Sequence, residues 1–221
     1  MKYSKIIIAF FIVLLIAACN KKDEYVYPPV ITELLTTQSS SEGTLLNLIT
    51  DKGEIFRVQN GSKVKGMVPD SLYRMLCIYE LLDIANSKEK EASLYSIQQV
   101  FSIDPVEASH FKLMITDPVI RQSVWMSGGY LNLFLFIKAK DTHIHRFHFA
   151  ETYDGVIEVD GKRKLYLTLY HDKGTDIEAY SQRTCFSIPL RKYKNILQKG
   201  DSVLFTLNEY NKGMVTYRFA F

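Results

Sequence analysis

The 221 residues carry 27 Lys and Arg against 24 Asp and Glu, a formal net charge of +3, with 47% hydrophobic and 23% charged side chains. A balance so near neutrality argues against a nucleic-acid partner, which needs basic residues clustered on one face. The length allows one large β domain or two small ones, with room for a real core.

The first element in chain order is a targeting segment. Lys2 and Lys5 precede an unbroken apolar run from Ile6 to Ile16, and small residues follow at Ala17 and Ala18. That order is a secretory signal peptide, and its eleven apolar residues are too few to cross a bilayer core of about 30 Å as a helix. Ile16-Ala17-Ala18-Cys19 resembles a bacterial lipobox. The resemblance implies a diacylglycerol on the Cys19 sulfur and cleavage just before it. Each buried CH₂ contributes about 0.8 kcal/mol, so two or three acyl chains tether a domain durably without a spanning helix. Residues 1–18 are therefore read as signal peptide and 19–27 as tether. Loss of the signal leaves 25 basic against 24 acidic residues.

From Tyr25 onward, turn signals recur about every ten residues: Asp51-Lys52-Gly53, Asn60-Gly61, Gly128-Gly129, Asp154-Gly155, Asp160-Gly161, Asp172-Lys173-Gly174 and Asn211-Lys212-Gly213. Short runs rich in Tyr, Phe, Val, Ile and Thr separate them, the pattern of an antiparallel all-β protein. "TLLNLITDKGEIFRV" and "VLFTLNEYNKGMVTYRFAF" each read as a hairpin around a Gly-containing loop. "SLYRMLCIYELLDI" fits either period: Leu72, Met75, Leu76 and Tyr79 share a helical face, while Tyr73, Met75, Cys77, Tyr79 and Leu81 alternate. "PLRKYKNILQKG" predicts a short surface helix, with Leu190, Tyr193, Ile196 and Leu197 on one face and Gly200 as its C-cap. Two Asp-Pro pairs in "SIDPVEASHFKLMITDP" mark a linker over 103–118. The flanking lengths suit a five-stranded OB-type barrel over 28–102 and a β-sandwich over 119–221.

Taken in order, the lipobox with Tyr27-Pro28, "LNLITDKGEIFRV", "DSLYRMLCIYELLD…ASLYSIQQVFSID", "SGGYLNLFLFI", "HRFHFAETYD" and "LYLTLYHDKGTD" resemble the NigD-like lipoproteins of Bacteroidetes. The resemblance implies an N-terminal OB-like domain, a C-terminal β-sandwich, and strand over helix for residues 72–82. It carries no catalytic residues. Lys22-Asp23-Glu24 has the form of the surface-export signal that follows the acylated cysteine in some such lipoproteins, so the expected location is the outer membrane, facing the cell surface; read as a plain solvated tether, the same charges leave the periplasmic face as the alternative. Asp70-Ser71-Leu72 and Asp201-Ser202-Val203 resemble the short O-glycosylation sequon of these bacteria.

Chemistry is sparse along the chain. In "DTHIHRFHF" read as a strand, His143 and His145 point to one face about 6 to 7 Å apart, with Asp141 beside them and His148 opposite. That spacing suits a shared metal only with a third ligand from a neighbouring strand, for which His171 is the other plausible histidine nearby in sequence. Neither a nucleophile elbow nor a phosphate loop occurs. Trp125 and Tyr130, either side of "MSGG", are the candidate rings for a ligand such as a glycan. Cys77 and Cys185 sit in apolar runs and read as unpaired buried thiols. The expectation is a non-enzymatic, cofactor-free lipoprotein on the membrane, taking a protein or glycan partner, with bacteriocin immunity as the narrower alternative and glycan hydrolysis third. Its oligomeric state is left open by the residues.

Overall fold

The structure is a computed structural model that describes residues 27–64, 66–83 and 89–221. The signal segment and nearly all of the tether, with Cys19, Lys22, Asp23 and Glu24, lie outside the described residues.

Five strands close the N-terminal barrel: β1 (Ile31–Ser39), β2 (Leu45–Ile49), β3 (Ile55–Val58), β4 (Leu72–Leu82) and β5 (Glu91–Gln99), in the order β1-β2-β3-β5-β4. β3 and β5 run parallel and the other neighbours antiparallel, the OB-type arrangement. The expected first hairpin is β2–β3, with Ile49 opposite Ile55 and Gly53 at a φ of 84° in its turn. Period two wins over 72–82. Met75, Cys77 and Tyr79 alternate into the barrel core with Leu35, Leu48 and Phe56, which leaves Arg74 on the other face.

The second body packs two sheets. One has five strands in the order β13-β12-β10-β9-β6, the other three in the order β11-β8-β7. Their ranges are β6 (Val106–Glu107), β7 (Ile120–Ser127), β8 (Tyr130–Ala139), β9 (Arg146–Val159), β10 (Lys162–Asp172), β11 (Tyr180–Pro189), β12 (Ser202–Glu209) and β13 (Gly213–Ala220). Leu131, Leu133, Leu135 and Ile137 of β8 face Leu165, Leu167 and Leu169 of β10 and Val203, Phe205 and Leu207 of β12, all essentially buried. Burying such side chains contributes about 1.5–3 kcal/mol apiece.

Two segments differ from expectation. Residues 103–118 are not free linker: β6 pairs in parallel with β9 at Val106↔Ala150, and a short 3₁₀ turn follows at Ala108–His110. The helix expected after Pro189 is a 3₁₀ turn at Arg191–Tyr193. Its N–H groups at Tyr193, Lys194 and Ile196 bond three residues back. The Asp201 carboxylate then takes the Gln198 N–H at 2.8 Å and stops the helix. Tyr193 and Leu197 are buried, but Ile196 stays exposed.

Arg74 joins the bodies. Its side chain is 1% exposed and makes a bidentate pair with Asp51, at 2.5 and 2.8 Å. Its other donors reach Ser187 Oγ at 2.9 Å and Asn132 Oδ1 at 3.2 Å in the three-stranded sheet, and its guanidinium lies 4.3 Å from the Tyr130 ring centre. Ser127 donates to Asp51 at 2.5 Å, and Ser187 to Asn132 at 2.5 Å. At Gly128, with φ of 58°, an added Cβ would overlap the Asp51 side chain. The chain itself crosses beside this knot: Phe101 donates its N–H to Cys185 O and accepts from Ser187 N–H.

Removing one partner of a buried, hydrogen-bonded ion pair costs about 3–5 kcal/mol. Arg74→Met is therefore expected to lower stability by about that much and to split one cooperative urea transition into separate barrel and sandwich transitions. Asp51→Asn added to it should recover part of the loss by removing the stranded charge.

Candidate functional site

Where the barrel rests on the three-stranded sheet it does not cover it fully, and a groove of about 840 Å³ is left. The barrel wall is Ile31, Phe56, Tyr79 and Leu81; the sandwich wall is Trp125, Phe134 and Arg183; Asp51 and Ser127 of the knot form the floor. β8 explains the sandwich wall. Odd-numbered residues from Leu131 to Ile137 go to the core, so Tyr130, Asn132 and Phe134 face the barrel.

The Trp125 ring sits 5.3 Å from Phe134, and the Arg183 guanidinium 4.1 Å from the centre of the Phe134 ring. Gln122 fixes that guanidinium through Arg183 Nε at 2.9 Å. Across the groove, Tyr79 donates its hydroxyl to the Glu33 carboxylate. Burial, reinforced by that carboxylate, pushes the Tyr79 phenol well above its ordinary value. Glu54, at the exposed rim, is held below the usual carboxylate range by the hydrogen bond and charge of Lys90. The walls thus offer a tilted ring pair and apolar edges, with charge of both signs at the margins.

Reactive groups are neutralised here. Ser127 beside Asp51 resembles a nucleophile beside a base. That carboxylate, however, is locked in the Arg74 pair, and Ser127 Oγ also accepts from Asn132 Nδ2 at 3.0 Å. Both remaining cysteines are free thiols; burial pushes each up to about 12, so neither is a thiolate at neutral pH.

The two rings singled out in the sequence do not form one platform. Trp125 lines the groove, whereas Tyr130 lies beyond the Arg74 knot, in a separate hollow with Asp104 and Arg191. Phe134 and Arg183 complete the Trp125 wall; the alternation in "GYLNLFLFI" was the only signal for Phe134, and no local pattern marked Arg183. Ser202 of the second sequon is 3% exposed and accepts from Arg218 Nε, while Ser71 of the first is half-buried.

The histidine geometry also differs from the strand reading. β9 begins only at Arg146. Asp141 caps the preceding turn by accepting the His143 N–H at 2.9 Å, so His143 is exposed and shares no face with His145. His145 points inward. Its Nδ1 lies 2.8 Å from Nε2 of His171 and its Nε2 lies 3.1 Å from Asp176, whose side chain is 4% exposed. His171 Nδ1 faces the Asp117 carbonyl at 2.9 Å. All four ring nitrogens of the two histidines therefore have a partner within this chain. Rings bonded edge to edge this closely are spent on each other and leave no lone pairs converging on a cation.

Burial holds His171 below the ordinary imidazole value, and burial with the charge of His110 does the same for His148. Asp172 is held low by the Gly174 N–H and by Arg146. At Glu209 burial opposes ionisation, but hydrogen bonds from Lys212, Tyr217 and Arg121 outweigh it.

Folded histidines with depressed values bind fewer protons than the unfolded chain below about pH 6.5. Depressed carboxylates contribute stability that is present above about pH 4 and lost as pH falls through their folded values. Urea midpoints are therefore expected to decline from about pH 6.5 downward and more steeply below about pH 4. Glu209→Gln should flatten the lower limb. At neutral pH, His145→Ala should lower the midpoint clearly while His143→Ala leaves it unchanged.

Residues 102–221 match the family model described as the NigD-like C-terminal beta sandwich domain. Among solved structures the chain is similar to a NigD-like immunity protein from Bacteroides caccae, with 27% identity, a TM-score of 0.68, and coverage of 89% of this chain and 99% of that one. A protein of unknown function from Bacteroides vulgatus has a TM-score of 0.68 at 16% identity, over 87% of this chain and 90% of that one. A candidate lipoprotein from Bacteroides fragilis has 0.58 at 10% identity, over 87% and 97%. At such identities these last two bear on the fold alone. No curated protein matches the chain.

Proposed function

The chain belongs to the NigD-like family, and we propose that it is a lipid-anchored interaction protein of the outer membrane that takes a segment of a partner protein into the groove between its two bodies. The observation that carries this reading is the groove itself. It combines the Trp125–Phe134–Arg183 wall with Ile31 and Leu81, two apolar side chains left 37% and 45% exposed at the opposite wall. Aromatic and Arg anchors in a partly desolvated cleft are the residue types that dominate protein recognition. The locked carboxylate on the floor favours binding over turnover.

A narrower reading is that the partner is a toxin. What favours it is the similar Bacteroides caccae structure, which is described as a NigD-like immunity protein. The anchor itself rests on the Ile16-to-Cys19 sequence and its apolar leader.

Trp125 is the single tryptophan, so an occupant of the groove should shift its emission directly. A photo-crosslinking side chain at Leu81 should capture one discrete partner in living cells. The same probe at Val68, which lies away from the groove, should not. Capture should fall at least tenfold in Trp125→Ala and Arg183→Glu; an adduct indifferent to both would remove the groove from the account. Deletion should sensitise cells to one bacteriocin if the partner is a toxin. Labelling with a palmitate analogue should vanish in Cys19→Ala, and surface proteolysis of intact cells should vanish when Lys22, Asp23 and Glu24 become Ala.

A further inference from the structure

The outer face of the five-stranded sheet, on the opposite side of the sandwich from the barrel, holds a second hollow of about 830 Å³. Its floor is a row of threonines on four adjacent strands: Thr152 of β9, Thr168 of β10, Thr206 of β12 and Thr216 of β13. Thr168 stands opposite Thr206, and Thr206 opposite Thr216, in the strand register. Their hydroxyls couple in two pairs, Thr152 with Thr168 at 3.2 Å and Thr206 with Thr216 at 2.8 Å. Adjacent strands lie about 4.8 Å apart, so hydroxyls recur at that interval across the face. Each hydroxyl has one donor and two acceptor lone pairs, and one contact per pair leaves capacity for a ligand.

Tyr153 and Tyr166 wall one side of the row, their ring centres 5.2 Å apart at 68°. Tyr153 is held there at a cost. Its φ is 53°, followed by 63° at Asp154 and 77° at Gly155, inside β9 where the register with β10 slips between Leu165 and Leu167. A bulky residue in the left-handed region is strained, and a bulge of this kind re-aims a side chain. Core packing is not what holds it, since Tyr153 is 74% exposed. No charged side chain is among the described residues lining the hollow.

We propose that this face is a binding site for a neutral polysaccharide, separate from the groove. The apolar face of a sugar ring lies on Tyr153, and its hydroxyl groups exchange hydrogen bonds with the threonine row. Threonine hydroxyls and tyrosine rings set among the apolar Met114, Ile157, Leu204 and Met214 suit a ligand that is polar at its edges, apolar on its faces and uncharged. An ionised sugar would lose hydration here without gaining a counter-charge.

The test is affinity electrophoresis of the full mature chain in gels containing a mannan, a xylan or dextran, with polygalacturonate as the charged control. At least one neutral polysaccharide should retard the protein while polygalacturonate does not. Tyr153→Asn should weaken that retardation at least tenfold without lowering the melting temperature, because Asn tolerates a φ near 53° better than Tyr. Thr206→Val with Thr216→Val, which keeps the shape of the face, should weaken it at least fivefold. Trp125→Ala should leave it unchanged, so the groove reading and this one fail independently. The proposal is overturned if no neutral polysaccharide retards the chain, or if retardation survives Tyr153→Asn and the double valine variant. It is equally overturned if the chain forms a dimer that Tyr153→Asn dissolves, which would assign the face to a second copy.

Discussion

The structure depends on one buried cation. Arg74 stands on the outer face of a barrel strand whose other face fills the barrel core, and its guanidinium can be satisfied only from outside the barrel wall. Asp51 supplies the charge from the β2–β3 turn, while Asn132 and Ser187 supply acceptors from the sandwich. Neither body alone contains the whole set. Burying a charge without partners is far more costly than burying one with them, so this single residue specifies how the two bodies meet. Every other feature of the groove follows from that placement: its floor is the knot, and its walls are what the two bodies leave facing each other beside it.

The same constraint accounts for what the groove can do. A carboxylate that accepts two guanidinium bonds and a serine hydroxyl is fixed in place, with three of its about four acceptor positions taken. Such a floor positions the walls. The walls, in contrast, keep unspent capacity: the Trp125 ring is only partly covered, and Ile31 and Leu81 remain open to solvent. Rigid floor and open apolar margins together suit the recognition proposed for the groove.

The sequence made the architecture legible because hydrophobic alternation and turn chemistry are local. The β2–β3 hairpin, the β12–β13 hairpin and the inward-facing leucines of β8 follow from residues a few positions apart. Residues 72–82 satisfied both periods; the family resemblance favoured the strand, and barrel closure supplies its physical reason, with Ile31 to Gln38 of β1 on one side and β5 on the other. What stayed hidden was long-range. Arg74 and Ser187 are 113 positions apart and His145 and His171 are 26 apart, and no local pattern joins them. The histidine expectation went astray for a local reason, since Asp141 turns the chain before β9 begins. Trp125 was visible as a ring next to a glycine turn, but its partners Phe134 and Arg183 come from two other strands.

The two candidate surfaces differ in how they stand to a membrane. β1, whose residues Ile31 and Thr32 line the groove, begins twelve positions after Cys19. Even fully extended, that length of chain spans no more than about 40 Å. A lipid on Cys19 would therefore keep the groove within that distance of the bilayer, where a membrane-bound or membrane-directed protein partner would arrive. The threonine face belongs to the other sheet of the sandwich, turned away from the barrel by the thickness of two packed sheets, about 10 Å between their planes. One chain could then hold a protein at the bilayer and a polysaccharide on its far side at once, because neither surface shares a residue with the other. If the protein partner and the polysaccharide belong to one assembly, binding at one surface raises the effective concentration of the other ligand at the second.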